Sequence, residues 1–169
     1  MNAAKPELHQ VILGLGSNIE PQDNLPRAVD LLCEHVTIEA ISRAWETPAV
    51  GNPAPDFLNA ALQVLTPLPP DELKRQVIRP IEARLGRVRT TDRNAPRTID
   101  IDILAYDGEI LDPLVWEQAY LAVPLAELSP AHTHPETGES IAHAAVRLAR
   151  QTRFEPRPTV LPGLWDCTD

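Results

Sequence analysis

Apolar and polar positions fall along the chain in blocks whose period changes from one to the next. Gln10–Leu15 (QVILGL) is a short apolar run closing on Gly16-Ser17-Asn18, which predicts a buried strand and a turn. Pro21–Asn24 is rich in turn and helix-start residues. After it Leu25, Ala28, Val29, Leu32 and Val36 keep the i, i+3, i+4, i+7 rhythm of an amphipathic helix. Thr37–Thr47 reads as a second strand, with Ile38, Ala40 and Ala44 leading to Trp45. Pro48–Asp56 (PAVGNPAPD) is a loop, and Phe57–Leu65 (FLNAALQVL) a third strand. Pro70-Asp71 can open a helix, because proline suits the first turn. On it Leu73, Val77, Ile81 and Leu85 repeat every four residues, and Pro80 predicts a kink by removing a backbone bond to Gln76.

Gly86 ends that helix, and Arg87–Pro96 is an arginine-studded loop. Thr98–Tyr106 (TIDIDILAY) alternates strictly at its start and is the clearest strand. Asp107-Gly108 is a hairpin turn feeding Glu109–Leu111. Beyond Pro113 the pattern fades until Val123–Leu128, then predicts a helix from about Gly138 to Arg150 and an irregular tail over 151–169. The order β-α-β-β-α-β predicts an α+β fold of ferredoxin-like arrangement: an antiparallel sheet, helices on one face and an added C-terminal helix. Residues 1–169 then form a single domain, with the 48–56 and 86–97 loops on the sheet's other side or rim, where function tends to reside.

The chain has 169 residues and a formal charge of -9, from 15 basic and 24 acidic side chains. Such a surface repels nucleic acid and anionic membrane, so neither is an expected partner. The start, MNAAKPELHQ, has no apolar signal-peptide core, and no run approaches the ~18 apolar residues of a membrane span. The two cysteines, Cys33 and Cys167, give no disulfide framework, which fits a cytoplasmic protein. A monomer is expected.

Against this acidic background Gly86–Ile103 (GRVRTTDRNAPRTIDIDI) stands out. On a strand Asp100 and Asp102 share a face, about 6.5–7 Å apart at Cα, while Ile99, Ile101 and Ile103 fill the other. Two adjacent carboxylates without a neutralising side chain between them call for a cation, and hard oxygen donors favour Mg²⁺. Arg84, Arg87, Arg89, Arg93 and Arg97 lie just upstream, and guanidinium groups grip phosphate oxygens in a planar fork. Carboxylate-held metal beside such an array suits phosphoryl transfer, where catalysis is chiefly positioning and charge neutralisation. The alternative is that the aspartates form ordinary ion pairs with these arginines.

Other motifs carry less. No G-x-x-x-x-G-K-[ST] loop occurs, and Gly14-Leu15-Gly16-Ser17-Asn18-Ile19 lacks the third glycine of a dinucleotide fingerprint. It reads either as a tight turn or as the floor of a pocket. His132-Thr133-His134 is bracketed by Pro130 and Pro135 and reads as a solvated loop.

The stretch GRVRTTDRNAPRTIDIDIL closely resembles the signature of the 6-hydroxymethyl-7,8-dihydropterin pyrophosphokinase family of folate synthesis. Leu15–Asn18, Glu46-Thr47-Pro48, Asp56–Ala61, Ile81-Glu82 and Pro124–Leu128 resemble further family motifs in the same order, over roughly Val11 to Pro130. The resemblance implies transfer of a pyrophosphoryl group from ATP to the pterin's hydroxymethyl oxygen, with release of AMP. It implies that Asp100 and Asp102 hold two Mg²⁺ ions and, with Arg87 and Arg97, carry catalysis. Arg87, Arg89, Arg93 and Arg97, with Glu82 nearby, would bind ATP. Thr47, Pro48, Val50, Phe57, Asn59 and Tyr120 would hold the pterin, Asn59 reading its polar edge and Tyr120 stacking on it. Asn94 stands where the family often has a lid tryptophan, for which Trp116 offers a substitute. Asp112–Ala119 is short and places Gln118 about where the family has an arginine. Two rivals remain: another metal-dependent nucleotidyl or phosphoryl transferase, and a non-catalytic ligand-binding module of ferredoxin-like fold.

Overall fold

A computed structural model describes residues 4–51, 53–162, 165 and 167. Strand β1 (His9–Ser17) runs through the centre of an antiparallel sheet, with β4 (Phe57–Thr66) on one side and β5 (Asp100–Tyr106) on the other. Beyond β4 lie β2 (Thr37–Ile41) and β3 (Trp45–Thr47), and beyond β5 the short β6 (Glu109–Ile110). The first strand therefore extends through Gly16-Ser17 instead of ending there. The expected single strand over 37–47 is two pieces laid along the same edge of β4. The break has a cause: Ser42 Oγ accepts from Ala61 N–H (2.8 Å) and donates to Arg43 O (2.8 Å), standing in for the strand pairing.

Helix α1 (Pro21–Cys33) buries Leu25, Ala28, Val29 and Leu32 against β1 and β4, as its spacing requires. The helix after Pro70 has three parts: α2 (Pro70–Leu73), a widened π turn over Lys74–Ile78, and α3 (Arg79–Arg84). The widening accommodates Pro80, which has no N–H to close an ordinary turn, and it keeps the four-residue apolar repeat on one face. Leu73, Val77, Ile81 and Leu85 are all buried there. Asp107 and Gly108 both take positive φ (46° and 84°), the two-residue turn a hairpin's twist prefers.

Helices cover both faces of the sheet, not one. Helices α1, α2 and α3 pack on the side of Val11, Leu13, Ile99 and Ile101. On the other side, α4 (Ala119–Leu128) and α5 (Ile141–Ala149) pack over Ile12, Ala61, Leu104 and Ala105. A bulge makes this possible: Ile12 pairs with Ala105 and Leu13 with Ile103, so the extra residue, Leu104, joins its neighbour on the α4 side. The tail is less irregular than its prolines suggest, since β7 (Glu155–Pro156) adds to the free edge of β3. Cys33, at the end of α1, is disulfide-bonded to Cys167 with a Cα separation of 5.3 Å, contrary to the expectation of unpaired thiols. No described helix is long and apolar enough to cross a membrane.

Candidate active site

Antiparallel register aligns side chains in rows across the sheet. Trp45, Asn59, Gly16 and Asp100 form one row, and Ala61, Gly14 and Asp102 the next. Paired residues share a face, so the two aspartates and Asn59 project towards α4 with two glycines between them. These glycines make a floor. A Cβ at Gly14 would lie 3.1 Å from Leu104, and one at Gly16 would lie 3.0 Å from Asn59 Oδ1. Of the two readings of the Gly14–Ile19 motif, the pocket floor is the one the structure supports. Above it lies a cavity of about 140 Å³ walled by Thr47, Pro48, Val50, Phe57, Asn59 and Tyr120 on one side and by Arg93, Arg97, Asp100 and Asp102 on the other.

The acidic and basic groups are threaded together. Arg87 Nη1 donates to Asp100 Oδ1 (2.5 Å) and also to Glu82 Oε1, while Arg97 Nη1 donates to Asp100 Oδ2 (2.6 Å). Glu82 is only 2% exposed and also accepts from Arg89 Nη2 (2.7 Å) and Ile101 N–H (3.0 Å). Both oxygens of Asp100 are thus capped by arginine, as the ion-pair alternative expects for that residue. Asp102 has no such partner among the described residues. Its burial, then the charges of Asp100, Asp112 and Glu82, push its pKa up to about 6 against a lowering by Arg87. Tyr120 is likewise shifted upward, by burial and then by the Asp102 charge.

A divalent cation suits this arrangement. Asp102 is a half-buried carboxylate without an ion-pair partner among the described residues, Asp100 lies beside it, and glycines leave space over both. No group of three or more His, Cys, Asp or Glu side chains among the described residues could enclose a metal. One or two carboxylates, the remaining positions being left to substrate oxygens and water, is the habit of Mg²⁺.

At the other end Asn59 Nδ2 donates to Thr47 Oγ1 (2.9 Å), both buried, so the amide is held with its carbonyl over Gly16. Phe57 and Tyr120 supply aromatic walls. An adjoining groove of about 320 Å³ is lined by Arg87, Arg89, Arg93 and Arg97. The mouth lies where the two loops touch: a Cβ at Gly51 would fall 2.5 Å from Asn94 Nδ2.

The structure gathers most of the expected residues, though not all at one surface. Thr47, Pro48, Val50, Phe57, Asn59, Tyr120, Arg93, Arg97, Asp100 and Asp102 line the cavity. Arg87 and Arg89 line only the groove. Glu82, expected beside the nucleotide, lines neither and lies behind β5 as an anchor for arginines. Trp116, considered as a lid, is buried in the second core cluster, its ring centroid 5.1 Å from that of His134 in an edge-to-face arrangement. His134 sits in a turn, as its prolines imply, its Nδ1 accepting from Glu136 and Thr137 N–H. Sequence reading missed Leu104 and Leu121 in the cavity wall; both look like core positions in a one-dimensional pattern. Only the glycines inside a strand pattern carried a signal, since such glycines often mark close approach of a ligand.

Comparison with known proteins adds a family. The family described as 7,8-dihydro-6-hydroxymethylpterin-pyrophosphokinase (HPPK) matches residues 12–130. The 2-amino-4-hydroxy-6-hydroxymethyldihydropteridine pyrophosphokinase of Methylorubrum extorquens is 43% identical over 130 residues, covering 70% of this chain and 81% of that protein. That of Synechocystis sp. is 31% identical over 169 residues, covering 94% and 84%. Among solved structures, wild-type Plasmodium falciparum HPPK-DHPS with pteroate shares the fold, with a TM-score of 0.66 at 12% identity. That likeness covers 88% of this chain and 44% of the solved one, so the chain spans less than half of that protein.

Proposed function

The chain belongs to the 7,8-dihydro-6-hydroxymethylpterin-pyrophosphokinase family, and on that premise we propose that it transfers the terminal pyrophosphoryl group of ATP to the hydroxymethyl oxygen of 6-hydroxymethyl-7,8-dihydropterin, releasing AMP. One observation carries the reading. A cavity with an amide and aromatic walls at one end opens, past two aspartates, onto an arginine-lined groove.

In this reading Asn59, steadied by Thr47, offers hydrogen-bonding groups to the pterin's polar edge. Phe57 and Tyr120 flank the flat ring, while Pro48 and Val50 close its rim. Gly14 and Gly16 let the ring lie close to the sheet. The nucleotide's phosphates occupy the groove, where Arg89 and Arg93 meet the outer oxygens and Arg87 and Arg97 the inner ones. Asp100, released from its arginine partners by the phosphates, would hold Mg²⁺ together with Asp102. That ion, taken as two when ATP is bound, would neutralise phosphate charge and fix the orientation of the transferred group. The hydroxymethyl oxygen bonds to the β-phosphorus and releases its proton to solvent, the bond from that phosphorus to the α,β-bridging oxygen breaks, and AMP leaves with that oxygen and the bonding electron pair. Glu82 acts indirectly by holding Arg87 and Arg89. The element order also supports a ferredoxin-like description of the sheet, with α4 and α5 as additions after it.

Incubation with Mg²⁺, ATP and 6-hydroxymethyl-7,8-dihydropterin tests the proposal. AMP and a pterin diphosphate are expected in equal amounts. Release of inorganic pyrophosphate would indicate nucleotidyl transfer instead, and binding without any nucleotide product would indicate a non-catalytic module.

A further inference from the structure

Strand β3 is only three residues long, yet it carries Thr47, whose hydroxyl holds the Asn59 amide at the cavity wall. So short a strand opens readily unless both of its edges are engaged. β4 covers one edge, and β7 covers the other, from a tail beyond residue 130, where the family match ends. The tail grips both faces of β3. Side chains alternate along an extended segment, so Phe154 and Pro156 fall on one side of the sheet and Glu155 and Arg157 on the other. On the first side the Phe154 ring lies against Trp45, with centroids 4.9 Å apart, and Trp45 Nε1 donates to Glu127 Oε1 of α4 (2.5 Å). On the second side Arg157 holds Glu46 in a fork, Nε to Oε2 (3.1 Å) and Nη2 to Oε1 (3.0 Å), while its backbone N–H donates to Ala44 O (2.8 Å). Just ahead of Phe154, Arg153 Nη2 donates to Oδ2 of Asp56, the last residue before Phe57 enters β4.

We infer that residues 153–157 form a strap that positions the Thr47 and Phe57 walls of the cavity, with Arg153 the positioning residue for Asp56, so that loss of the strap weakens binding of the dihydropterin and spares that of the nucleotide. The inference rests on the proposed function, which assigns this end of the cavity to the pterin. Its physical basis is placement. The three gripped residues, Trp45, Glu46 and Asp56, each lie within two positions of Thr47 or Phe57, and those two pair with each other across β3 and β4. None of the three lines the arginine groove. A wall fixed before the ligand arrives has less freedom to lose on binding. A tail that served only to stabilise the fold would lower the melting temperature and leave pterin affinity alone.

Arg147 provides the control. It makes a two-pronged pair with Glu139 (2.8 and 2.9 Å) on α5, away from β3 and the 48–56 loop. The experiment titrates 6-hydroxymethyl-7,8-dihydropterin by calorimetry in saturating α,β-methylene ATP and Mg²⁺, an analogue whose reacting bond cannot break, and follows hydrogen exchange over residues 45–47. Arg153→Ala should weaken pterin binding by roughly two- to fivefold, the scale of an exposed ion pair. Arg153→Ala with Arg157→Ala should weaken it by roughly five- to tenfold, speed exchange over 45–47 and leave affinity for the nucleotide analogue unchanged. Arg153→Lys keeps the single cationic contact to Asp56 and should bind pterin as the wild type does. Comparison of Arg153→Ala with Arg153→Lys decides the matter should the double variant fold poorly. Arg147→Ala should lower the melting temperature and change neither pterin affinity nor exchange over 45–47. Unchanged pterin affinity in Arg153→Ala, an equal loss of nucleotide affinity, or the same loss of pterin affinity in Arg147→Ala overturns the inference. A wild type that binds no pterin would instead refute the assigned substrate. Exchange over 45–47 in the double variant then decides the strap by itself, and an unchanged rate there overturns it.

Discussion

A carboxyl group set beside another and withdrawn from water holds its proton more tightly, and Asp102 is in that position. Its pKa near 6 in the fold, against 3.8 in an unfolded chain, means that the native state binds the proton better. The sign follows. The stabilisation is complete below the unfolded value and is lost as pH rises through about 6, by up to about 3 kcal/mol between the two limits. Metal-free protein should therefore lose stability across this window relative to Asp102→Asn, which carries no titrating group there. Mg²⁺ with ATP analogue competes with the proton, so the melting-temperature rise it produces should be small near pH 5 and large near pH 7.5. Thermal melts of both proteins across pH check this, and parallel pH curves would remove Asp102 from the proposed metal site. The Asp100–Asp102 pair was legible in sequence because strand alternation alone puts both on one face. The arginine caps on Asp100 were not. They depend on where an irregular loop returns, and Glu82, which fixes that return, comes from a different helix.

At the scale of elements, legibility tracked how one-sided each element's environment is. Helix α1 and the α2–α3 run have one buried face, and their apolar spacing reports it. Helix α4 (AYLAVPLAEL) is apolar on most sides because it lies between the sheet and α5, so no period appears and only its last half was read. Placing it on the opposite face needed the Leu104 bulge, which the strand's own sequence does not announce. The arginine loop is held mainly at its two ends, by Arg87 and Arg97. Val88 is 76% exposed, and the backbone is tied locally by Ala95 N–H to Asp92 O (3.2 Å) and by Asn94 N–H to Asp92 Oδ1 (2.9 Å). Like charges along it repel, with Glu82 and Asp100 the main counterweights. Its amides over 88–94 should exchange with solvent much faster than those of β5 in the free protein, and slow on addition of α,β-methylene ATP with Mg²⁺. Hydrogen exchange by mass spectrometry reads both states. Strong protection before any ligand is added would mean that the loop is prearranged and that binding does not order it.

For the whole molecule, the feature least accessible to sequence reading is the bond between Cys33 and Cys167, because 134 residues of separation say nothing about proximity. The tail reaches α1 by a traceable route. β7 pairs with β3, Arg157 holds Glu46 (3.0 Å), Leu161 is buried in the first core cluster, and Trp165 Nε1 donates to Asp30 (3.0 Å). The bond thus closes a ring that contains nearly all of the fold, and by loop-closure entropy a ring of this size could contribute up to about 5 kcal/mol. For a domain of this length that corresponds to on the order of 10–20 °C in melting temperature. The staple lies on the α1 side of the sheet and the cavity on the α4 side, so stability and turnover should separate. Cys33→Ser should melt lower than the oxidised wild type and be indifferent to reductant. Reduced wild type should melt with it, and all three should keep the same kcat with saturating substrates. The tail's other anchors predict that β7 stays on β3 after reduction, so loss of stability should not spread to the Thr47 end of the site. A kcat that falls with reduction would show instead that the tail's grip on α1 supports β3 and, through it, the Thr47 wall of the cavity.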